Sequence, residues 1–149
     1  TKIYDYYIIY ATGPKNYDEI MSKIKVQNEN VKIEKYIYNM EEVMNIVDLI
    51  VCRSGAMTIT EIANVGKPAI FIPFPFATEN HQEYNAKVLE RVGAAKIILD
   101  KNLTDDGLNQ QINEMIKDRN TLIQMGEKAN RVSIVNVEEK IYLEIKNCL

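Results

Sequence analysis

Five short apolar runs, each followed by a stretch of helical periodicity, occupy residues 4–103 and leave few folds open to this chain. The runs are Tyr4–Ala11, Val31–Ile37, Asp48–Cys52, Ala69–Pro73 and Ala95–Leu99. They are rich in Ile, Val and Tyr and apolar on both faces, as parallel strands covered on both sides must be. Between them, Tyr17–Lys25 puts Ile20, Met21 and Ile24 on one helical face, and Met40–Val47 does the same with Met40, Val43, Met44 and Val47. Met57–Val65 and His81–Val92 complete the alternation. Strand and helix repeated in this way predict an α/β fold: a doubly wound, Rossmann-like parallel sheet of about five strands with right-handed crossovers. After Asp100 only helical patterns follow. Thr104 or Asp105 caps a helix running to Lys117 with Leu108, Ile112, Met115 and Ile116 inward, and Asn120–Asn130 and Val132–Lys146 come next. Residues 1–149 read as one domain, with a helical tail over 104–149 packed on one face or edge of the sheet.

Charge and cysteine content narrow the function classes. The net charge of −3 comes from 21 acidic and 18 basic residues spread along the chain without a basic stripe, so nucleic acid is not an expected partner. Cys52 and Cys148 are too few and too far apart for a disulfide framework or a metal site, and suggest a reducing compartment. No apolar run approaches the ~20 residues that span a bilayer, and no signal peptide is recognisable. The expected localisation is cytoplasmic.

In an open α/β sheet the ligand crevice lies beyond the carboxyl ends of the strands. Every candidate polar residue of this chain falls in a loop at that edge or in the first turn of the next helix. Ser54, Gly55 and Ala56 have small side chains where a helix begins. The N–H groups of Ala56, Met57 and Thr58 would meet a diphosphate there, or the segment is a plain tight turn capped by Ser54. Glu61 can accept both hydroxyls of a ribose, or Thr58 and Glu61 form a capping box. Asn80, His81, Gln82 and Asn85 crowd the next helix start, and their amide and imidazole groups suit neutral sugar hydroxyls. The competing account is Asn80 as a helix N-cap with a solvated first turn. Arg53 is open between a phosphate and a carboxylate at the sheet edge. The stiff Pro73-Phe-Pro-Phe-Ala-Thr78 loop lines a sugar pocket or packs on another domain. Tyr36 and Tyr38 flank Ile37 at the end of the second strand, where a nucleobase edge could bond the backbone. No nucleophile or metal set accompanies His81, so the catalytic residue is unassigned, and neither a metal nor a cofactor is expected. A nucleotide sugar is the ligand these features describe best.

Taken in order, these residues resemble the MurG family, the peptidoglycan N-acetylglucosaminyltransferases. The match runs through Ile37, Asp48-Leu-Ile-Val-Cys-Arg-Ser-Gly-Ala56, Thr58 and Glu61. It continues through Gly66-Lys-Pro-Ala69, Pro73, Asn80-His-Gln82, Asn85-Ala86 and Gly93-Ala-Ala95. The resemblance implies the donor-binding half of a two-domain GT-B glycosyltransferase. Such an enzyme moves GlcNAc from UDP-GlcNAc onto a lipid-linked muramyl-pentapeptide with inversion, at the inner face of the plasma membrane. It implies uracil read by the backbone at Ile37, diphosphate held by the Ala56–Thr58 amides, ribose held by Glu61, and GlcNAc hydroxyls faced by His81, Gln82 and Asn85.

The resemblance also implies parts not seen in this sequence: an N-terminal acceptor domain, and a glycine-rich segment after a first, central strand. The chain therefore looks like a donor half, and Tyr4–Ala11 and Asp48–Cys52 are expected to pair directly in a 2-1-3-4-5 order, the alternative being a second chain that fills the gap through exposed strand edges. The alternatives are a catalytic subunit of a two-component GlcNAc transferase, an enzyme like the UDP-GlcNAc epimerases, and a non-enzymatic module with a vestigial pocket.

Overall fold

The computed structural model describes residues 6–24, 28–133 and 137–147. Two compact units share the chain, Thr1–Val43 and Met44–Leu149. In the first, β1 (Ile8–Ala11) and β2 (Val31–Glu34) form a parallel pair joined through α1 (Tyr17–Lys23). The register runs from Ile8 opposite Val31 to Ala11 opposite Glu34. Asp18 and Glu19 open α1 and Lys23 closes it, the order of charge that a helix dipole favours. Thr12, buried just past β1, donates its backbone N–H to the Glu34 carbonyl at 3.0 Å and so ends the ladder. The second strand therefore closes at Glu34, three residues short of Ile37, and Tyr36, Ile37 and Tyr38 lie in the loop before α2 (Met40–Ile46).

The second unit holds a three-stranded parallel sheet in the order β3 (Ile50–Cys52), β4 (Ala69–Phe71), β5 (Ala95–Ile97). The central strand is fully buried on both faces. Ala69 and Phe71 join a cluster with Ile59, Ile62 and Ala63 of α3 (Ala56–Val65) and Ala86 and Leu89 of α4 (His81–Arg91). Ile70, pointing the other way, meets Met115 of α5 (Asp105–Lys117) and Leu122 and Met125 of α6 (Arg119–Arg131). The alternation of side chains along one strand thus feeds two cores. Each fully buried Phe, Ile or Leu contributes about 1.5–3 kcal/mol relative to exposure. A last helix, α7, spans Val137–Asn147.

Helix boundaries follow from the capping residues. Gly66 ends α3 in the left-handed conformation, φ 64°, and its N–H and that of Lys67 return to the Ile62 carbonyl at 3.0 and 3.3 Å. Thr104 caps α5 by accepting from Gly107 N–H, and Asp118 caps α6 by accepting from Thr121 N–H. The Thr121 hydroxyl and amide also hold the Asp118 carboxyl below its ordinary value.

The expected direct pairing of Tyr4–Ala11 with Asp48–Cys52 is not formed. Among the described residues the five strands divide into separate sheets of two and three. The first, central strand that the resemblance implies would be the shared neighbour of both, and an edge built to pair with that strand is not thereby built to pair with its far neighbour. Tyr4, Asp5, Lys25 and residues 134–136, which belong to expected elements, lie outside the described residues.

Candidate functional site

The carboxyl edge of the three-stranded sheet gathers all but one of the candidate residues. β3 stops at Cys52, and the chain passes through Arg53, Ser54 and Gly55 before α3 begins at Ala56. Gly55 is the N-cap residue, at φ −62° and ψ 151°, and no side chain caps the helix. Ser54 is therefore not the cap. Its side chain is fully buried, and its hydroxyl donates to the Gln82 carbonyl at 2.7 Å. The first intrahelical bond is Ile59 N–H to the Gly55 carbonyl, so the preceding N–H groups of Ala56, Met57 and Thr58 face the end of the helix.

Folding does not demand glycine at position 55. Its φ is one any residue adopts, and an added Cβ would touch only the Thr58 hydroxyl, at 3.7 Å. The missing side chain instead clears the space in front of the helix end, as a ligand approaching the backbone would require.

Glu61 stands on the exposed flank of α3, opposite the buried Ile59, Ile62 and Ala63. Thr58 lies inside the helix, so the capping-box account of Thr58 and Glu61 does not hold. Among the described residues the Glu61 carboxylate makes no hydrogen bond or ion pair.

At the second helix start, Glu79 and Asn80 both adopt left-handed backbone, φ 50° and 56°. Such a conformation costs a non-glycine residue roughly 1–2 kcal/mol, and it clusters at ligand-binding segments. Asn80 occupies the N-cap position of α4 but its side chain makes no capping bond. His81 is exposed, with Nε2 3.7 Å from a Glu79 carboxylate oxygen. Gln82 and Asn85 are half-buried and tied inward: Gln82 Oε1 accepts from Phe74 N–H at 3.0 Å, and Asn85 Nδ2 donates to the Ser54 carbonyl at 3.1 Å. These bonds settle which way the amides present themselves. Gln82 keeps its NH2 donors free, and Asn85 keeps its carbonyl oxygen.

Arg53, left open between phosphate and carboxylate, pairs with Asp100 at 2.7 Å. The same Nη1 reaches the carbonyls of Ile72 and Pro73 at 3.0 and 3.1 Å. Asp100 is the residue that sequence reasoning missed, although its loop belongs to the expected crevice edge. Phe74 and Phe76 are exposed and meet edge-on, centroids 5.6 Å apart. Ile37 lies in the first unit, half-buried in the loop after β2, between Tyr36 and Tyr38, whose rings meet edge-on at 5.1 Å. Among the described residues no group of three His, Cys, Asp or Glu side chains is placed to hold a metal ion, and no helix is long and apolar enough to cross a membrane.

Cys52, at the end of β3, is the one group here whose ionisation burial clearly moves: desolvation pushes its thiol from 9.0 to about 12. Below pH 9 the thiol is protonated in both the folded and the unfolded chain, and its contribution to stability is intact. As pH climbs past 9 the unfolded thiol ionises first, and that contribution is lost progressively up to about 12. At pH 8 Cys52 should therefore resist iodoacetamide in the native chain and react in urea, as read by peptide mass mapping. Rapid native labelling would show that the strand end is not closed.

The model of the glycosyltransferase family 28 C-terminal domain matches residues 1–141. The UDP-N-acetylglucosamine--N-acetylmuramyl-(pentapeptide) pyrophosphoryl-undecaprenol N-acetylglucosamine transferase of Acetivibrio thermocellus is 48% identical over 97% of this chain. The protein of the same description from Thermoanaerobacter sp. strain X514 is 39% identical over 94%. The chain spans 39% and 40% of these two relatives' lengths. Among solved structures, Acinetobacter baumannii MurG superposes with a TM-score of 0.83 at 31% identity, over 93% of this chain and 40% of that one. The glycosyltransferase VinC, solved with dTDP, has a TM-score of 0.68 at 19% identity over 87% of this chain and 31% of that one, and shares the fold.

Proposed function

This chain belongs to the glycosyltransferase family 28 C-terminal domains, and from that premise we propose that it is the UDP-GlcNAc-binding part of an inverting N-acetylglucosaminyltransferase. The acceptor in this reading is the lipid-linked muramyl-pentapeptide of peptidoglycan synthesis, bound by an N-terminal domain that also supplies the general base and the association with the inner face of the plasma membrane. The activity and acceptor are those in the names of the relatives above, of which the chain spans about two fifths.

The observation that carries the proposal is the bare start of α3. Three N–H groups without a side-chain cap face a space kept open by a glycine that neither backbone angle nor packing requires. An inverting transfer expels a nucleoside diphosphate, and the charge that develops on it needs fixed donors where it appears. The amides of Ala56, Met57 and Thr58, with the positive end of the helix dipole, supply them. Glu61, unpaired on the same helix, takes the ribose hydroxyls. Gln82 offers a donor and Asn85 an acceptor, a combination suited to a sugar hydroxyl that must both accept and donate. Asn80 and His81 complete the sugar end.

Calorimetric titration with UDP-GlcNAc, UDP and GDP tests the reading. Binding of both uridine ligands with no heat from GDP is the expected result. A folded chain that binds GDP as well as UDP, or neither, would overturn it.

A further inference from the structure

We propose that Arg53 and Asp100 are a positioning pair for the sugar-binding end of the crevice, acting through Phe74 and Gln82; this rests on the nucleotide-sugar reading above. The role differs from a phosphate contact. The three acceptors around Arg53 Nη1 come from the ends of two other strands: Ile72 and Pro73 directly follow β4, and Asp100 lies just past β5. Arg53 itself directly follows β3. One guanidinium thus ties together the carboxyl ends of the whole three-stranded sheet.

The tie reaches the candidate sugar residues in two steps. The Arg53 guanidinium also covers the Phe74 ring, 5.6 Å from its centroid. Phe74 N–H, immediately after the clamped Pro73, then holds Gln82 Oε1 at 3.0 Å. That bond decides that Gln82 turns its NH2 donors outward. Were it lost, the amide could rotate and present an acceptor in their place, with no change in the charge or bulk of the site.

Lysine cannot replace arginine in this arrangement. Its stem ends one bond short of the position of Nη1, and its ammonium lacks the flat face that covers the Phe74 ring, so it cannot keep Asp100, the two carbonyls and the ring together. The pair is also half-exposed, 48% and 36% for the two side chains, so its value is geometric more than energetic.

The test uses Arg53→Lys, Asp100→Asn and the double variant, each checked for an unchanged fold by circular dichroism. Two readouts are needed: amide hydrogen exchange at Phe74 in the ligand-free chain, and the ratio of UDP-GlcNAc to UDP affinity by calorimetry. Exchange at Phe74 should quicken several-fold in every variant. UDP affinity should stay unchanged while UDP-GlcNAc affinity falls roughly tenfold, and the double variant should lose no more than either single one, as groups acting as one unit do. Unchanged exchange at Phe74, or an equal loss for UDP and UDP-GlcNAc, would overturn the proposal and leave the pair as a brace of the fold. If the wild type bound neither ligand, the nucleotide-sugar reading would fall, whereas quickened exchange at Phe74 would still support the clamp.

Discussion

Replacing Glu61 with alanine is expected to weaken UDP binding by about two orders of magnitude while leaving the melting temperature where it was. The two effects separate because the carboxylate has no structural task. It is exposed, carries no partner among the described residues, and sits inside a ten-residue helix where alanine is the best helix former. Surface substitutions of that kind stay within about 0.5 kcal/mol. Against a ribose the balance is different. A carboxylate that takes both hydroxyls makes two charge-assisted bonds, each worth about 1.5–3 kcal/mol, and the lower bound of their total, about 3 kcal/mol, already amounts to roughly a hundredfold in affinity. Calorimetry and thermal melting on the same preparation read both quantities. A fall in melting temperature with unchanged affinity would assign Glu61 to the fold.

Gly126→Ala should destabilise the chain by about 2 kcal/mol, although the residue lies inside a helix. Helix propensity favours the substitution by about 1 kcal/mol. Packing opposes it: a Cβ at Gly126 would overlap the Gly66 carbonyl oxygen, and Pro68 Cδ stands at 3.7 Å. A backbone carbonyl cannot swing aside like a side chain. Gly66 is moreover fixed by the C-terminal cap of α3, so α6 has to lift, and it takes with it Leu122, Met125 and Ala129, all buried. Overpacking costs about 1–3 kcal/mol, and overlap with a fixed backbone carbonyl belongs at the top of that range, about 3 kcal/mol. That leaves a net loss of about 2 kcal/mol after the propensity gain. The melting temperature should drop by roughly 5–10 °C. A variant that melts at or above the wild type would show that the helix can retreat without cost.

The central strand β4 was legible because a parallel strand covered on both sides has no polar face. By contrast, β1 is largely exposed and β2 and β5 carry the exposed Lys32 and Lys96, so cover on both faces does not extend to every strand. All five lie where the apolar runs put them, and β4, apolar at every position, is the buried centre of its sheet. Their ends were less legible. The second apolar run continues to Ile37, but a strand lasts only as long as its ladder, and that ends where Thr12 bonds Glu34. The loops at the carboxyl edge of the three-stranded sheet were equally readable, since their position follows from topology, and the family resemblance holds in the comparisons. What sequence could not decide depended on distant partners or on one-residue shifts. Arg53 was ambiguous because Asp100 lies 47 residues away. The capping box between Thr58 and Glu61 depended on where α3 starts, and a start at Ala56 removes it. The contact between Gly126 and Gly66 leaves no periodic trace at all.

The buried Ser54 hydroxyl joins the loop before α3 to the first turn of α4, and Asn85 returns the connection to the Ser54 carbonyl. In the donor site proposed above, the groups offered to a diphosphate and those offered to a sugar would thereby be ordered before any ligand arrives. Immobilising a side chain on binding costs about 0.5–1.5 kcal/mol each, and here much of that cost is met during folding. The same preorganisation makes the two ends hard to vary separately. A substitution that widens the sugar end by shifting α4 drags the diphosphate end with it. New donor preferences would therefore arise more readily in the 74–80 loop, whose Phe76 is 85% exposed, than in the helix beneath it.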